Sequence, residues 1–180
     1  MRNLKMVSIV TLLSFVAIAF GGVSVLQASN RKPIQVAYTD LHPEAKKQVD
    51  CLADNIYFEA RGEPVAGQKA VALVTMNRVS SGTFPSTVCG VVKQKENSVC
   101  QFSWWCDATN RAKALGRQLH IDDYIQARMI ALDVYINYDH IHDITKGALF
   151  YHAEYVPKQK IGVRNLRMTV KIGQHIFYRT

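Results

Sequence analysis

The chain is short of acid. Its 180 residues hold 14 Asp and Glu against 22 Lys and Arg, a net charge of +8. That balance favours an anionic partner, such as nucleic acid, a lipid surface or an acidic wall polymer, without choosing among them. Cysteine is scarce too. Four are too few for a disulfide-dense miniprotein, so an apolar core must carry most of the stability. No CxxC or HxxxH spacing occurs, which leaves no zinc pattern. There is no P-loop, no G-x-G-x-x-G, no Ser-His-Asp order, no internal repeat and no low-complexity tract. What is present is ordinary for a globular protein: 48% hydrophobic and 20% charged residues. That excludes a disordered chain, a collagen and a multi-span membrane protein.

The N-terminus sets the compartment. Arg2 and Lys5 precede an uncharged run from Met6 to Asn30, with an apolar heart from Met6 to Phe20 and small residues at Gly21, Gly22, Val23 and Ser24. A basic start, an apolar middle and small residues near a cut make a secretory signal. Leu26-Gln27-Ala28 offers a cleavage site with a bulky Leu26. The run is also long enough to span a bilayer, which takes roughly 20 residues. Residues 1–28 are therefore either a signal peptide or a retained membrane anchor. Both readings export the body to the periplasm or cell envelope, and export argues against nucleic acid as a partner. In an oxidising compartment Cys51, Cys89, Cys100 and Cys106 are expected as disulfides, with three connectivities open. Proximity in the chain favours Cys100 with Cys106, which leaves Cys51 with Cys89.

Residues 29–42 are polar, contain Pro33 and show no period, so they read as a tether. Residues 43–180 read as one domain. Pro43 to Phe58 is amphipathic at helical spacing, with Val49, Leu52, Ala53, Ile56 and Tyr57 on one stripe. A second helix, Val65 to Val79, is apolar nearly all round and belongs in the middle of a domain. Ser86 is the expected N-cap of a short helix through Lys93, and Lys93 to Ser98 reads as a loop. A third long helix covers residues 121–138. The pattern then changes to short strands at Ala148 to His152, Met168 to Ile172 and His175 to Tyr178, the last two joined at Gly173-Gln174. The fold class is α+β, mainly helical, with a small C-terminal antiparallel sheet.

Three clusters could carry chemistry. Tyr57-Phe58-Glu59-Ala60-Arg61-Gly62-Glu63 places a carboxylate at the end of an apolar helix, where burial raises a carboxyl pKa and suits it to general acid work. Glu59 directly follows the apolar stripe; Glu63 could orient Arg61 or cap the next helix. Gln101-Phe102-Ser103-Trp104-Trp105 puts adjacent aromatics on a turn, either to pack inward or to stack on sugar rings. Phe150-Tyr151-His152 with His175 is the third cluster, with Tyr151 and His152 facing opposite sides of a strand. Asn77, at the end of the buried helix, could reach inward to hold a loop.

From Cys51 to Tyr178 the chain resembles the SleB-like cell wall hydrolases, the spore cortex-lytic type. The resemblance runs through eight blocks in order: Tyr57 to Glu63, then Gly67-Gln68-Lys69-Ala70-Val71-Ala72, then Asn77-Arg78-Val79. Phe84-Pro85-Ser86-Thr87-Val88, Gly90-Val91-Val92-Lys93-Gln94 and Gln101-Phe102-Ser103 follow. Gly147 to Tyr151 and Ile172 to Tyr178 close the series. The chain departs from the pattern at Trp104-Trp105-Cys106, which extends the sixth block. It also departs at residues 158–168, where Lys158, Lys160, Arg164 and Arg167 stand in a region that often holds a Trp in relatives.

The resemblance implies a lysozyme-like fold acting on peptidoglycan, with lytic cleavage between N-acetylmuramic acid and N-acetylglucosamine and no cofactor. It matches Glu59 to the glutamate that acts as general acid and then base. The expected product carries a 1,6-anhydro-muramic end. The candidate substrate contacts are Glu63, Gln101, Phe102, Ser103, Trp104, Tyr151 and His152. A hydrolytic muramidase would need a second carboxylate, for which Glu63, Asp107 and Glu154 are candidates. Two readings from other classes are a non-catalytic wall-binding module and a metal-dependent amidase using His152 and His175. The membrane is a further partner if the N-terminal segment is retained.

Overall fold

A computed structural model describes residues 32–116, 119–157 and 165–180. The segment read as signal or anchor, residues 29–31, and Lys158, Lys160 and Arg164 lie outside the described residues. Among the described residues no helix is long and apolar enough to cross a membrane.

Helix α1 spans Pro43–Ala60 and α2 spans Val65–Ser80. Pro43 sits at the first helical position of α1, where its missing N–H costs nothing. The stripe read from the sequence is the stripe that is buried: Val49, Leu52, Ala53, Ile56 and Tyr57 all enter the core. Helix α2 is enclosed on most sides, as its composition demands. One side of it joins the large core with α1. On another side, Ala70 and Val74 meet Ala148 and Phe177 in a small second core under the sheet.

The short α3, Val88–Val92, starts one residue later than the sequence suggests. Thr87, not Ser86, is the N-cap: its hydroxyl accepts from the Gly90 N–H at 3.0 Å. That is the N3 position, which a cap one residue earlier could not serve. Residues 93–98, read as a loop, hold strand β1, Lys95–Glu96, paired with β2, Val99–Cys100. Asn97 and Ser98 turn between them with positive φ of 48° and 68°. Helices α4, Ser103–Cys106, and α5, Ala108–Gly116, follow. α5 was not anticipated, its apolar positions being few. Helix α6, Ile121–Asn137, buries Tyr124, Ala127, Ala131 and Val134, while its apolar Ile125 and Met129 are exposed.

Strands β3, Phe150–Ala153, β4, Arg167–Ile172, and β5, His175–Arg179, form an antiparallel sheet in the order β3-β5-β4. Tyr151 faces Phe177 across the β3–β5 ladder, and His152 faces Ile176. Strand β3 starts at Phe150 rather than Ala148 because side chains claim the preceding carbonyls. Asn77 Nδ2 donates to Ala148 O at 3.0 Å and Arg78 Nε donates to Leu149 O at 2.7 Å.

Residues 32–42 lie along the body. The Ile34 N–H donates to Asn137 Oδ1 at 2.7 Å, Asn137 Nδ2 donates back to Ile34 O at 3.2 Å, and Leu41 is buried. Two disulfides join Cys51 to Cys89 and Cys100 to Cys106, the connectivity that chain proximity favoured. The first ties α1 to α3; the second closes the loop that carries Phe102 and Trp104.

Candidate active site

Glu59 occupies the last turn of α1, one residue before the helix ends. Part of the residue reaches the surface, while its carboxyl group is enclosed by protein. The Tyr151 hydroxyl, from β3, donates to Glu59 Oε2 at 3.2 Å. Burial raises the Glu59 carboxyl to a pKa of about 7, against the opposing pull of the Tyr151 hydrogen bond and the Arg78 charge. A glutamate in that state is about half protonated at neutral pH and can give up a proton. Tyr151 itself is held well above its ordinary value, first by burial and then by Glu59, so its hydroxyl keeps its proton.

Glu63 has a structural task that its sequence neighbourhood does not reveal. Its Oε2 accepts from the Gln174 N–H at 2.8 Å, at the turn between β4 and β5. The carboxylate lies against Gly67 and Gly173. A Cβ at Gly67 would sit 3.0 Å from Glu63 Cβ, and one at Gly173 would collide with Glu63 Oε2; Gly173 also has a φ of +58°. Glu63 thus staples the α1–α2 corner to the hairpin through a space that only glycine leaves open. Its side chain is 9% exposed. It neither pairs with Arg61, whose guanidinium lies 5.0 Å over the Tyr57 ring, nor caps α2.

The aromatic cluster divides. Phe102 and Trp104 are buried in the main core. Trp104 stacks on Phe58 at 4.6 Å and its Nε1 donates to Asn55 Oδ1 at 3.1 Å. Packing covers both rings in this structure. Gln101 and Ser103 are exposed, and Trp105 is half-buried with the Lys93 ammonium 4.9 Å over its ring. His152 does not join Glu59. It points to the other face of β3 from Tyr151, stacked on Tyr178 with Nε2 3.0 Å from the Tyr178 hydroxyl. His175 is on the Tyr151 face instead, its ring edge-on to Tyr151 at 5.2 Å. The two histidines therefore do not converge on a shared ligand.

The sequence reading missed Arg78 as part of the site. Its signal was present in a charged residue near the end of an apolar helix, adjacent to Asn77. Asn77 does reach inward: its Nδ2 donates to Asp143, Thr145 and Ala148, and its Oδ1 accepts from the Tyr138 hydroxyl at 2.7 Å. The loop before β3 is thereby fixed, and with it the approach of Tyr151 to Glu59.

The sequence profile of the cell wall hydrolase family matches residues 62–178. The chain belongs to that family. The match begins at Gly62, past Glu59, so it does not itself speak for that residue. The Bacillus cereus spore cortex-lytic enzyme is 30% identical over 151 residues, covering 83% of this chain and 51% of the relative. The Bacillus subtilis spore cortex-lytic enzyme is 46% identical over a shorter stretch of 48 residues. The chain thus spans about half the length of the first of these curated relatives. Two solved structures share its fold. The catalytic domain of the germination-specific lytic transglycosylase SleB from Bacillus anthracis matches with a TM-score of 0.54 and 33% identity, over 74% of this chain and 95% of that one. The catalytic domain of Bacillus cereus SleB matches with a TM-score of 0.53 and 29% identity, over 84% and 99%. The fold of this cell wall hydrolase is accordingly lysozyme-like, mostly helical with a small C-terminal antiparallel sheet.

Proposed function

We propose that this cell wall hydrolase cleaves peptidoglycan glycan between N-acetylmuramic acid and N-acetylglucosamine as a lytic transglycosylase, with Glu59 as general acid and then base. The observation that carries the reading is a buried carboxyl group that keeps its proton up to about pH 7 and is held by a tyrosine hydroxyl at the end of a helix. In the first step the Glu59 proton passes to the glycosidic oxygen. The bond from muramic C1 to that oxygen breaks, and its electron pair stays on the oxygen. The muramic 6-hydroxyl then bonds to C1 and its proton goes to the Glu59 carboxylate. The acid is regenerated and no water is consumed.

One carboxyl group suffices for this route, whereas hydrolysis calls on a second. The three candidates for the second are occupied elsewhere. Glu63 accepts from Gln174, Asp107 accepts from the Asn110 N–H at 2.9 Å, and Glu154 pairs with Lys171 at 2.7 Å. Among the substrate contacts, Tyr151, Gln101 and Ser103 remain in the proposal. Residues 1–28 would export the chain, as cleaved signal or as anchor, and the excess of basic residues would draw it to the anionic wall.

The test is mass spectrometry of muropeptides released from purified sacculi by the protein and by Glu59→Gln. Anhydro-muramic ends that vanish in the variant are expected. Reducing ends would make the enzyme a hydrolase. New free amines without glycan cleavage would move it to the stem peptide. Binding to sacculi without any product would leave a wall-binding module.

A further inference from the structure

Arg78 stands near the C-terminal end of α2 and is 5% exposed. Its Nε donates to Leu149 O at 2.7 Å. Its guanidinium carbon lies 5.0 Å from the Phe84 ring centre, 5.2 Å from Phe102 and 5.7 Å from Phe150. Its Nη1 is buried without a hydrogen-bond partner. Among the described residues no carboxylate pairs with it. A buried cation without a counterion is costly, and the faces of three aromatic rings offset only part of that cost. Such an arrangement has a consequence for its surroundings: a cation held by neutral groups keeps its field for any negative charge that arises nearby.

The charge that arises nearby is on Glu59. Leu149 and Phe150, which hold Arg78, directly precede Tyr151, whose hydroxyl donates to Glu59. We propose that Arg78 is a positioning residue for the Glu59 reaction, a permanent cation kept without a counterion that stabilises the carboxylate left when Glu59 gives its proton to the leaving oxygen. This rests on the reading of Glu59 as the acid. Two other groups face the same place. Tyr151 comes from β3 and stays protonated. Behind it on β5 is His175, which burial keeps toward its neutral form, with Glu63 Oε2 3.9 Å from its Nδ1. Of these groups Arg78 supplies the positive charge that draws Glu59 toward ionisation, while burial opposes it. Tyr138 and Asp143 belong to the Asn77 network and do not touch Glu59.

The experiment is the pH profile of anhydro-muropeptide release for the wild type, Arg78→Lys and Arg78→Gln, with Glu59→Gln beside them and a melting curve for each. Glu59 must be protonated to start the reaction, so the wild-type rate falls as pH rises through about 7. Removing the Arg78 charge makes the carboxylate harder to form. Arg78→Gln is expected to move that alkaline limb upward by about one pH unit and to lower the maximal rate by about tenfold or more. Arg78→Lys keeps the charge and is expected to keep the limb where the wild type has it. A purely structural Arg78 would lower the rate at every pH and leave the limb of Arg78→Gln in place, which would overturn the proposal. If Arg78→Gln does not fold, Arg78→Lys decides, because a displaced limb in a variant that retains the charge contradicts it. Activity surviving in Glu59→Gln would instead remove the acid assignment on which the proposal stands.

Discussion

The helical side of the domain and its sheet side are held together by different physics. On the helical side, α1, α2 and α6 bury Val49, Leu52, Ile56, Leu73 and Val134 with almost no exposed surface. Apolar area alone does most of the work there. On the sheet side the shared apolar core is small, built on Ala70, Val74, Ala148 and Phe177. The junction is instead made by single polar contacts: Asn77 and Arg78 to the two carbonyls before β3, Glu63 to the Gln174 N–H, and Tyr151 to Glu59. Glu59 sits on the seam. Its backbone belongs to the helical half, and the group that touches its carboxyl belongs to the half placed by hydrogen bonds. Stability is therefore concentrated in one half and geometry in the other.

Substitutions on the two sides should separate these roles. Leu52→Ala, in the helical core, is expected to cost about 2–5 kcal/mol in urea unfolding. It should leave the pH profile of the folded fraction unaltered. Asn77→Ala is expected to cost less, about 2–3 kcal/mol, because it strands Ala148 O and takes one partner from the Tyr138 hydroxyl. Its activity loss should exceed what the lost stability explains, since the loop leading to Tyr151 is freed; parallel unfolding and muropeptide assays would show the excess. Equal ratios of activity to folded fraction in Leu52→Ala and Asn77→Ala would erase the distinction.

The contrast also decides what was legible in the sequence. The apolar stripe of α1, the buried α2 and the closing hairpin follow from period and turn chemistry, and they lie where expected. Glu59 was legible for the same reason, as a carboxylate at the end of an apolar stripe. Contacts that join distant segments were not. Nothing local to Arg78 says that it will bond residue 149, and nothing local to Glu63 says that it will meet residue 174. The adjacent aromatics Phe102 and Trp104 were ambiguous for a related reason, because their partners Arg78 and Asn55 lie far off in the chain.

Gly173→Ala tests the smallest of the sheet-side contacts. Its Cβ would displace the Glu63 carboxylate at a backbone φ of +58°, and a loss of about 1–3 kcal/mol is expected by thermal unfolding. A neutral result would mean that the staple contributes nothing. The last expected effect is a gain. Folded Glu59 binds its proton more tightly than an ordinary glutamate, with a pKa of about 7 against 4.5. The wild type therefore loses stability as pH rises between those values. Glu59→Gln carries no such penalty, so its melting temperature should exceed that of the wild type by about 10 °C above pH 7 and match it below pH 4.5. Melting curves at the two extremes would show whether the advantage depends on pH.

All of this depends on one group being neutral where an ordinary glutamate is ionised. The direct measurement is a carbon NMR titration of the glutamate carboxyl groups, with the Glu59 signal assigned by its absence in Glu59→Gln. A midpoint near 7 is the expected result. A midpoint at the ordinary 4.5 would mean that the carboxyl is solvated, and that the seam between the two halves does not make an acid of Glu59.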